Sequence, residues 1–174
     1  RAIRDSIDRV NAGVGRSVSW LVLLMVGVGA FNALARYAGP SLGIRLASNA
    51  WLELQWYLFS MVFLLGAADV LRRDAHVRVD VMYARLSPRG RAQVNLAGTV
   101  AFLIPFCIFG LVVSYPSVSA SWAVWEQSPD PGGLPRWPLK TCILVGFALL
   151  LAQGVSQLIT HMDELRGAED EGAA

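Results

Sequence analysis

Charged residues are scarce in this chain. They make up 16% of its 174 residues, whereas hydrophobic residues make up 55% and the mean hydropathy is +0.47. Soluble domains carry roughly 25% charged residues, and disordered chains combine low hydrophobicity with high charge. The shortage of charge therefore argues against both classes. The formal net charge is only +2, and the basic residues flank apolar runs instead of forming one patch, which argues against nucleic-acid binding.

Cysteine and chemical motifs are also scarce. The two cysteines, Cys107 and Cys142, lie inside apolar runs, as is typical of buried small hydrophobic residues rather than of a disulfide or a metal pair. The sequence shows no Gly-rich phosphate loop and no pattern of a nucleophile with a base or of clustered metal ligands. We therefore predict that the chain is not an enzyme and binds no cofactor.

Long uncharged runs are what the sequence does contain. They cover residues 17–35, 54–68, 92–125 and 141–160, and the second extends back to residue 50 if Glu53 is included. About 20 apolar residues span a bilayer as a helix, and lipid requires helical backbone pairing. We predict an all-α integral membrane protein forming one domain over residues 1–174. The predicted transmembrane helices are 17–38, 50–71, 88–116 with an extension to about 126, and 138–161. A loop at 127–137 joins the third to the fourth, and an acidic tail at 162–174 follows the fourth.

The third run is too long for one plain span. Its 34 residues would extend about 50 Å as a helix, whereas the hydrocarbon core is about 30 Å thick. Pro116 removes a backbone donor and is predicted to break this helix. Trp122 and Trp125 follow it, and tryptophan is enriched at the membrane–water interface.

The distribution of basic residues predicts the orientation. Eleven of the 15 Lys and Arg residues lie before the first run, between the second and third runs, or after the fourth. The other four are Arg36, Arg45, Arg136 and Lys140. Basic residues accumulate on the cytoplasmic side. Both termini and the middle loop are therefore predicted to be cytoplasmic, and the 127–137 loop to lie on the opposite side.

Two segments outside the runs show helical spacing of apolar residues. The first set is Ile3, Ile7, Val10 and Val14, and the second is Val79, Met82, Tyr83 and Leu86. Charged residues lie between them, so we predict amphipathic interfacial helices, the first over residues 1–16. Ser87 is the predicted N-cap of the third long helix, with Pro88 at its first position.

Glu53 is the most informative acidic residue. It lies near the outer end of the second run, and an ionisable residue within a span is a functional-site hypothesis by default. Two interpretations remain open. Glu53 contacts a partner chain or an ion pathway, or it forms a salt bridge to Arg36 or Arg45 on the same side.

Polar residues at the inner ends of the runs carry two further predictions. Asp69 precedes Arg72 and Arg73 at helical spacing, which favours a local ion pair. His76 and His161 lie just past two span ends. Interfacial hydrogen bonding is one interpretation of these histidines. The alternative is a small membrane oxidoreductase subunit that ligates haem through both of them.

Five segments together carry a resemblance to a known family. They are ARY at 35–37, NAWLELQW at 49–56, FLLGAA at 63–68, LRRDAHVRVD at 71–80 and EQSPDPGGLPRWPLK at 126–140. In this order and topology they resemble the small membrane subunit (DctQ-type) of tripartite ATP-independent periplasmic (TRAP) transporters. The last segment and the Glu-Leu-Gln-Trp sequence resemble those of the subgroup assigned to mannitol, chloroaromatic compounds and 2-oxo acids. Many family members carry two adjacent acids where Leu54 follows Glu53 here.

The resemblance implies a division of labour in the bacterial inner membrane. A periplasmic binding protein delivers an organic acid, and a large multi-span membrane subunit carries the substrate and sodium sites. The small subunit is then a scaffold for sodium-driven secondary transport, with membrane lipid around it and with no sodium site of its own. A self-assembling membrane scaffold without a transport role is the remaining alternative.

Three sets of candidate residues follow from these features. The predicted interface with the large subunit is Trp51, Glu53, Gln55, Trp56, Phe63 and Gly66. The predicted periplasmic docking residues are Glu126, Asp130, Arg136 and Trp137. The cytoplasmic motif is Arg72, Arg73, His76, Arg78 and Asp80. Proline and glycine restrict the loop that contains the docking residues, which either contacts a partner or packs over the bundle.

Overall fold

Helices make up nearly all of the described chain. A computed structural model of the protein describes residues 2–43, 48–75, 83 and 85–172, and these ranges contain no β-strand. The elements are α1 (Ala2–Leu42), α2 (Asn49–Arg72), α3 (Pro88–Gly98), a π-helical segment (Thr99–Leu103), α4 (Ile104–Ala123) and α5 (Trp137–Gly172). The segment from Pro88 to Ala123 is one continuous helical rod.

Within the described ranges, four helices are long and apolar enough to cross a membrane. Their qualifying ranges are Ala2–Gly39, Asn49–Arg72, Arg89–Ala123 and Trp137–Arg166. Each exceeds the roughly 20 residues that a span requires. The predicted fold class, an all-α protein with four transmembrane helices, is confirmed. The side of the membrane on which the termini lie stays a prediction.

The N-terminal amphipathic segment is not separate from the first span. Helix α1 runs for 41 residues without interruption, so the predicted boundary after residue 16 lies inside one helix. Its length corresponds to about 60 Å, roughly twice the hydrocarbon core. The continuity has a physical basis, because Asn11 is 1% exposed and hydrogen-bonds Gln153 of α5 at 2.7 Å. Packing against α5 therefore holds this segment in the bundle.

The irregularity in the third long helix lies earlier than predicted. The predicted break at Pro116 is wrong, because α4 continues through Pro116 to Ala123. Instead, the π-helical segment closes with a bond from Ile104 N to Thr99 O. Pro105 follows directly and cannot donate a backbone hydrogen bond. A π-helical turn changes the bonding register at the point where this donor is lost.

Serine caps open two of the helices. The Ser48 side chain accepts a hydrogen bond from the backbone N–H of Ala50 at 3.2 Å. Ser87 accepts one from Gly90 N, also at 3.2 Å, and Pro88 is the first helical residue. The predicted Ser87 cap is thus confirmed. Such caps satisfy backbone donors that have no partner within the helix.

Helix α5 is the centre of the packing. It contacts α1, α2, α3 and α4, while α1 packs mainly on α2. Small residues allow the close crossings, since a Cβ placed on Gly146 would lie 2.7 Å from the carbonyl oxygen of Leu64. Cys107 is fully buried and, like Cys142, forms no disulfide.

The crossing of α5 and α2 yields a stability prediction. Gly146→Ala is expected to lower the Tm of the detergent-solubilised chain, because the backbone of Leu64 cannot yield as a side chain would. Overpacking of this kind costs about 1–3 kcal/mol. Gly27→Ala is the matched control, since nothing lies within 4 Å of its added Cβ and alanine favours helix by about 1 kcal/mol. Equal Tm values for the two variants would contradict the close crossing.

Candidate functional site

Glu53 lies buried beneath the loop that joins α4 to α5. We call residues 124–136 the outer loop, after the side that it is predicted to face. Glu53 is 2% exposed. One of its carboxylate oxygens accepts a hydrogen bond from the Ser128 hydroxyl, and the other accepts one from the backbone N–H of Leu134 at 2.5 Å. These three residues form the Glu53 cluster, which joins α2 to both halves of the outer loop.

Tyr57 extends the same attachment by one helical turn. Its hydroxyl donates to the carbonyl oxygen of Leu134 at 3.2 Å, so α2 holds Leu134 through both its N–H and its carbonyl. A buried carboxylate requires such donors, because its desolvation is costly without them. Within the described residues Glu53 forms no ion pair, and Arg36 is exposed. Arg45 lies outside the described residues.

A tight turn closes the tip of the outer loop. The backbone N–H of Gly133 donates to the carbonyl of Asp130 at 3.0 Å. Pro131 occupies the second turn position, and Gly132 occupies the third with φ of +73°, a combination that matches a type II turn. Asn49, in the first turn of α2, donates to the Pro131 carbonyl at 3.1 Å. The predicted restriction of this loop by proline and glycine therefore has a specific geometry.

Glu126 fixes the loop to the start of α5. Lys140 donates to its carboxylate, and the Arg136 N–H donates to its carbonyl oxygen at 2.8 Å. The hydrogen bond from Lys140 lowers the pKa of the Glu126 carboxyl below its usual 4.5. Both the side chain and the backbone of Glu126 therefore hold the loop in place.

Three tryptophans form an aromatic cluster beside the loop. Trp122 and Trp137 have ring centroids 4.3 Å apart, and Trp125 lies 5.7 and 5.2 Å from them. The Trp122 indole N–H donates to the Thr141 hydroxyl at 2.8 Å. Trp125 has a φ of +48°, a conformation that is unusual for a bulky residue. Amphipathic rings of this kind suit the membrane–water interface.

The four predicted docking residues differ in exposure. Asp130 is exposed at the tip of the loop. Glu126, Arg136 and Trp137 are partly buried by the contacts just described. A partner approaching the loop thus meets Asp130 first, while the other three residues support the loop from below.

The predicted interface residues of α2 do not lie on one surface. Trp56 and Phe63 are 43% and 68% exposed, whereas Glu53 is buried. Gly66 faces α1, since a Cβ placed there would lie 3.5 Å from Val18. The structure therefore places Trp56 and Phe63 outward and directs Glu53 and Gly66 toward other parts of the same chain.

The remaining predicted interface residues, Gln55 and Trp51, lie in or beside an open groove between α1 and α2. Its volume is about 690 Å³, and its lining includes Gly29, Gln55, Trp56 and Phe59. The Gln55 amide lies directly over Gly29, so a side chain at that position would displace it. Trp51 closes the outer end of the same pair of helices through an edge-to-face contact with Phe31, with centroids 5.1 Å apart. We refer to this feature as the α1–α2 groove.

The structure describes only the first part of the predicted cytoplasmic motif. Arg72 and Arg73 each lie 2.8 Å from a carboxylate oxygen of Asp69, which confirms the predicted local ion pair. Asp69 is 6% exposed and occupies the space that a side chain at Gly15 would need. The remaining members, His76, Arg78 and Asp80, lie outside the described residues.

The haem alternative receives no support. The His161 ring lies 3.1 Å from the carboxylate of Glu164, and His76 lies outside the described residues. No group of three or more potential metal ligands occurs in the part of the chain that the structure describes.

Several residues of the site escaped sequence reasoning. Ser128 and Leu134 contact Glu53 across more than 70 positions of sequence, and no local pattern pairs them. Tyr57 had a usable signal, because it follows Glu53 by four residues and so lies on the same helical face. Asn49 had a weaker sequence signal, because it is a polar residue in the first turn of a helix.

These features define a class of protein and then a family. Four helices of spanning length define an α-helical integral membrane protein. Residues 25–164 match the family model for tripartite ATP-independent periplasmic transporters, DctQ component. This match covers more than half of the chain, and the protein belongs to the DctQ family. It is therefore a small transmembrane subunit of a TRAP transporter, which places it in the bacterial inner membrane. Searches of curated proteins and of solved structures each found no match.

The Glu53 cluster yields a prediction on loop stability. In Glu53→Gln one of the two donors, Ser128 or Leu134, faces an amide NH₂ group, and a lost buried acceptor costs about 1–3 kcal/mol. We expect a lower Tm and faster hydrogen exchange at residues 128–134. Ser128→Ala should add less in the Glu53→Gln background than alone, since contacting residues are coupled. Asp5→Asn, which alters a carboxylate that is 54% exposed, is the control. Exchange rates equal to this control would argue against the cluster.

Glu126 yields a prediction on pH. A carboxyl group with a lowered folded-state pKa stabilises the fold above its unfolded pKa, and this contribution disappears as the pH falls through the folded-state value. Near neutral pH the wild type should therefore have a higher Tm than Glu126→Gln. The difference should shrink as the pH falls below 4.5 in thermal unfolding of the solubilised chain. Lys140→Met should remove the same pH dependence, and a difference that persists in acid would contradict the assignment.

Proposed function

We propose that this chain is the fixed scaffold of the transporter, with the α1–α2 groove as the seat for a helix of the large transport subunit. The observation that carries the proposal is the Gln55 amide. It lies in an otherwise apolar groove and has no hydrogen-bond partner among the described residues, unlike the ionisable Glu53 and Asp69 near the two ends of α2, which are bonded within the chain.

The energetic argument concerns an unpaired amide at membrane depth. Lipid offers it no hydrogen bond, so its burial there costs several kcal/mol. Transmembrane helices associate through small residues that permit close approach and through interhelical hydrogen bonds. Gly29 and Gln55 provide these two features at one place. A docked helix would satisfy Gln55 and cover Trp56 and Phe59, which are 43% and 58% exposed.

The outer loop suits a second contact, with the periplasmic binding protein. Its turn and its attachment to α2 are formed within the chain, so binding would cost little conformational entropy. Asp130 is exposed at its tip and offers a charge to a partner. In this proposal Glu53 is a positioning residue that acts on the partner through the loop.

The cargo and its driving force follow from the family resemblance. We propose sodium-driven uptake of an organic acid. The resemblance of two sequence segments to one subgroup of the family favours a 2-oxo acid or a related compound. The substrate and the sodium ion would bind to the large subunit. The contribution of this chain is then mechanical, because it provides a stationary surface beside the moving parts.

Co-purification with the large subunit tests the scaffold proposal. Gln55→Leu and Trp56→Ala should each lower the yield of the large subunit from mild detergent by about tenfold or more, since interface tryptophans often contribute at least ~2 kcal/mol. Phe109→Ala, at a 65% exposed position on α4, is the matched control. Asp130→Asn should leave the complex intact but reduce binding-protein-dependent uptake in proteoliposomes.

Two results would contradict this proposal. Full yield of the large subunit with both groove variants would remove the groove from the interface. Recovery of a second copy of this chain in place of the large subunit would favour the self-assembling scaffold instead.

A further inference from the structure

A polar cavity lies at the end of the bundle opposite the outer loop. Its volume is about 640 Å³, and its walls come from α1, α2, α3 and α5. Among the described residues, cationic and anionic side chains line it in equal number. The cationic side chains are Arg4, Arg72 and Arg91, and the anionic ones are Asp8, Asp74 and Glu164. A cavity with this balance complements a group that itself carries both charges.

An apolar cleft continues from this cavity toward the membrane interior. It has a volume of about 380 Å³ and shares Asn95 and Gln157 with the polar cavity. From Asn95 it follows the helix past Gly98 to Leu103, a distance of about 12 Å along the axis. The two spaces together run from a charged opening into an apolar trough.

The wall of the polar cavity is held by hydrogen bonds across the bundle. Gln153 Nε2 and the Ser156 hydroxyl both donate to Asp8 Oδ1, at 3.0 and 2.7 Å. Asn11 donates to Gln153 Oε1 at 2.7 Å, and Asn11 and Gln153 are at most 2% exposed. Both bonds to Asp8 end on Oδ1, so Oδ2 stays available as an acceptor. A site preorganised in this way binds with little ordering cost.

Two of the cationic groups are also fixed in position. The Arg72 guanidinium is held by Asp69 through Nε at 2.9 Å and Nη2 at 2.8 Å, which leaves further N–H donors on the same group. The Arg91 guanidinium lies 5.6 Å from the centroid of the Tyr83 ring, and its Nε donates to the Leu86 carbonyl at 3.1 Å. Guanidinium groups bind phosphate oxygens through charge-assisted hydrogen bonds.

We propose that the joined cavity and cleft bind one zwitterionic glycerophospholipid with a primary ammonium headgroup. Its phosphate lies against Arg72 and Arg91, and its ammonium lies against Asp8 and Glu164. The first part of one acyl chain occupies the cleft along Gly98. Basic pockets between transmembrane helices on the cytoplasmic side bind anionic lipid headgroups, and the basic residues predict that this end faces the cytoplasm. The acidic side chains of this cavity add a counterpart for an ammonium group. The balance of charges favours a zwitterion over an anionic lipid, and the cleft favours a lipid over a free phosphate.

Retention of lipid by the purified full-length chain is the direct test. We expect native mass spectrometry to detect one bound phosphatidylethanolamine after purification, and added phosphatidylethanolamine to raise the Tm of delipidated protein more than phosphatidylglycerol does. Inorganic phosphate should leave the Tm unchanged. Arg91→Gln should lower retention by about tenfold, which corresponds to ~1.4 kcal/mol. None of these readouts requires the large subunit, so the outcome is independent of the scaffold proposal.

A variant that fills the cleft separates lipid binding from folding. Nothing lies within 4 Å of a Cβ placed on Gly98, so Gly98→Leu should fold normally while its side chain occupies the space of the acyl chain. Gly27→Leu, at an equally open position on α1, is the matched control. We expect loss of lipid only in Gly98→Leu.

Four outcomes would overturn the proposal. Equal lipid retention by Gly98→Leu and Gly27→Leu would exclude the cleft. Equal stabilisation by phosphatidylglycerol would contradict the argument from charge balance. A Tm increase with inorganic phosphate as large as that with lipid would indicate a soluble phosphate ligand. Lipid bound to the isolated chain but absent from the assembled transporter would assign the space to the partner subunit.

Discussion

The need to satisfy polar groups inside the protein underlies this structure. Hydrocarbon provides no hydrogen bonds, so a buried polar side chain is costly unless it finds a partner within the bundle. Glu53 finds Ser128 and the Leu134 N–H, and Asp69 finds two arginines. These contacts hold the two ends of α2, and the outer loop depends on the first of them.

The same requirement distinguishes internal from external surfaces. Polar groups that are bonded within the chain stabilise the subunit itself, whereas the Gln55 amide in the α1–α2 groove leaves its bonding capacity for another molecule. The large polar cavity at the inner end combines both cases, since Asp8 and Gln153 hold its wall and the arginines line its space. The proposed partner helix and the proposed lipid would thus bind at features separate from those that stabilise the subunit itself.

Much of the fold follows from local sequence patterns. Uncharged runs and the Ser87-Pro88 pair predict the helices and one of their starts, because these signals act over a few residues. The continuity of α1 depends instead on packing against α5, which no local pattern reveals, and α4 continues through Pro116 although proline normally disfavours a helix interior. The site is less predictable still. The sequence singles out Glu53 as costly, but its partners lie far away in the chain, and only the folded loop brings Ser128 to it.

The π-helical segment Thr99–Leu103 has a consequence for how this protein can change in evolution. A π-helical turn is equivalent to one residue inserted into an α-helix, and one residue corresponds to about 100° of rotation. The wider turn absorbs that rotation, so deleting a single residue there would restore a regular helix and leave α4 close to its present orientation. Gly110 would then keep its place beside the Phe147 ring, which lies 2.5 Å from where a Cβ would be. A deletion elsewhere in the rod would instead turn α4 about its axis, so this segment is the one place where the rod can lose a residue without repacking against α5.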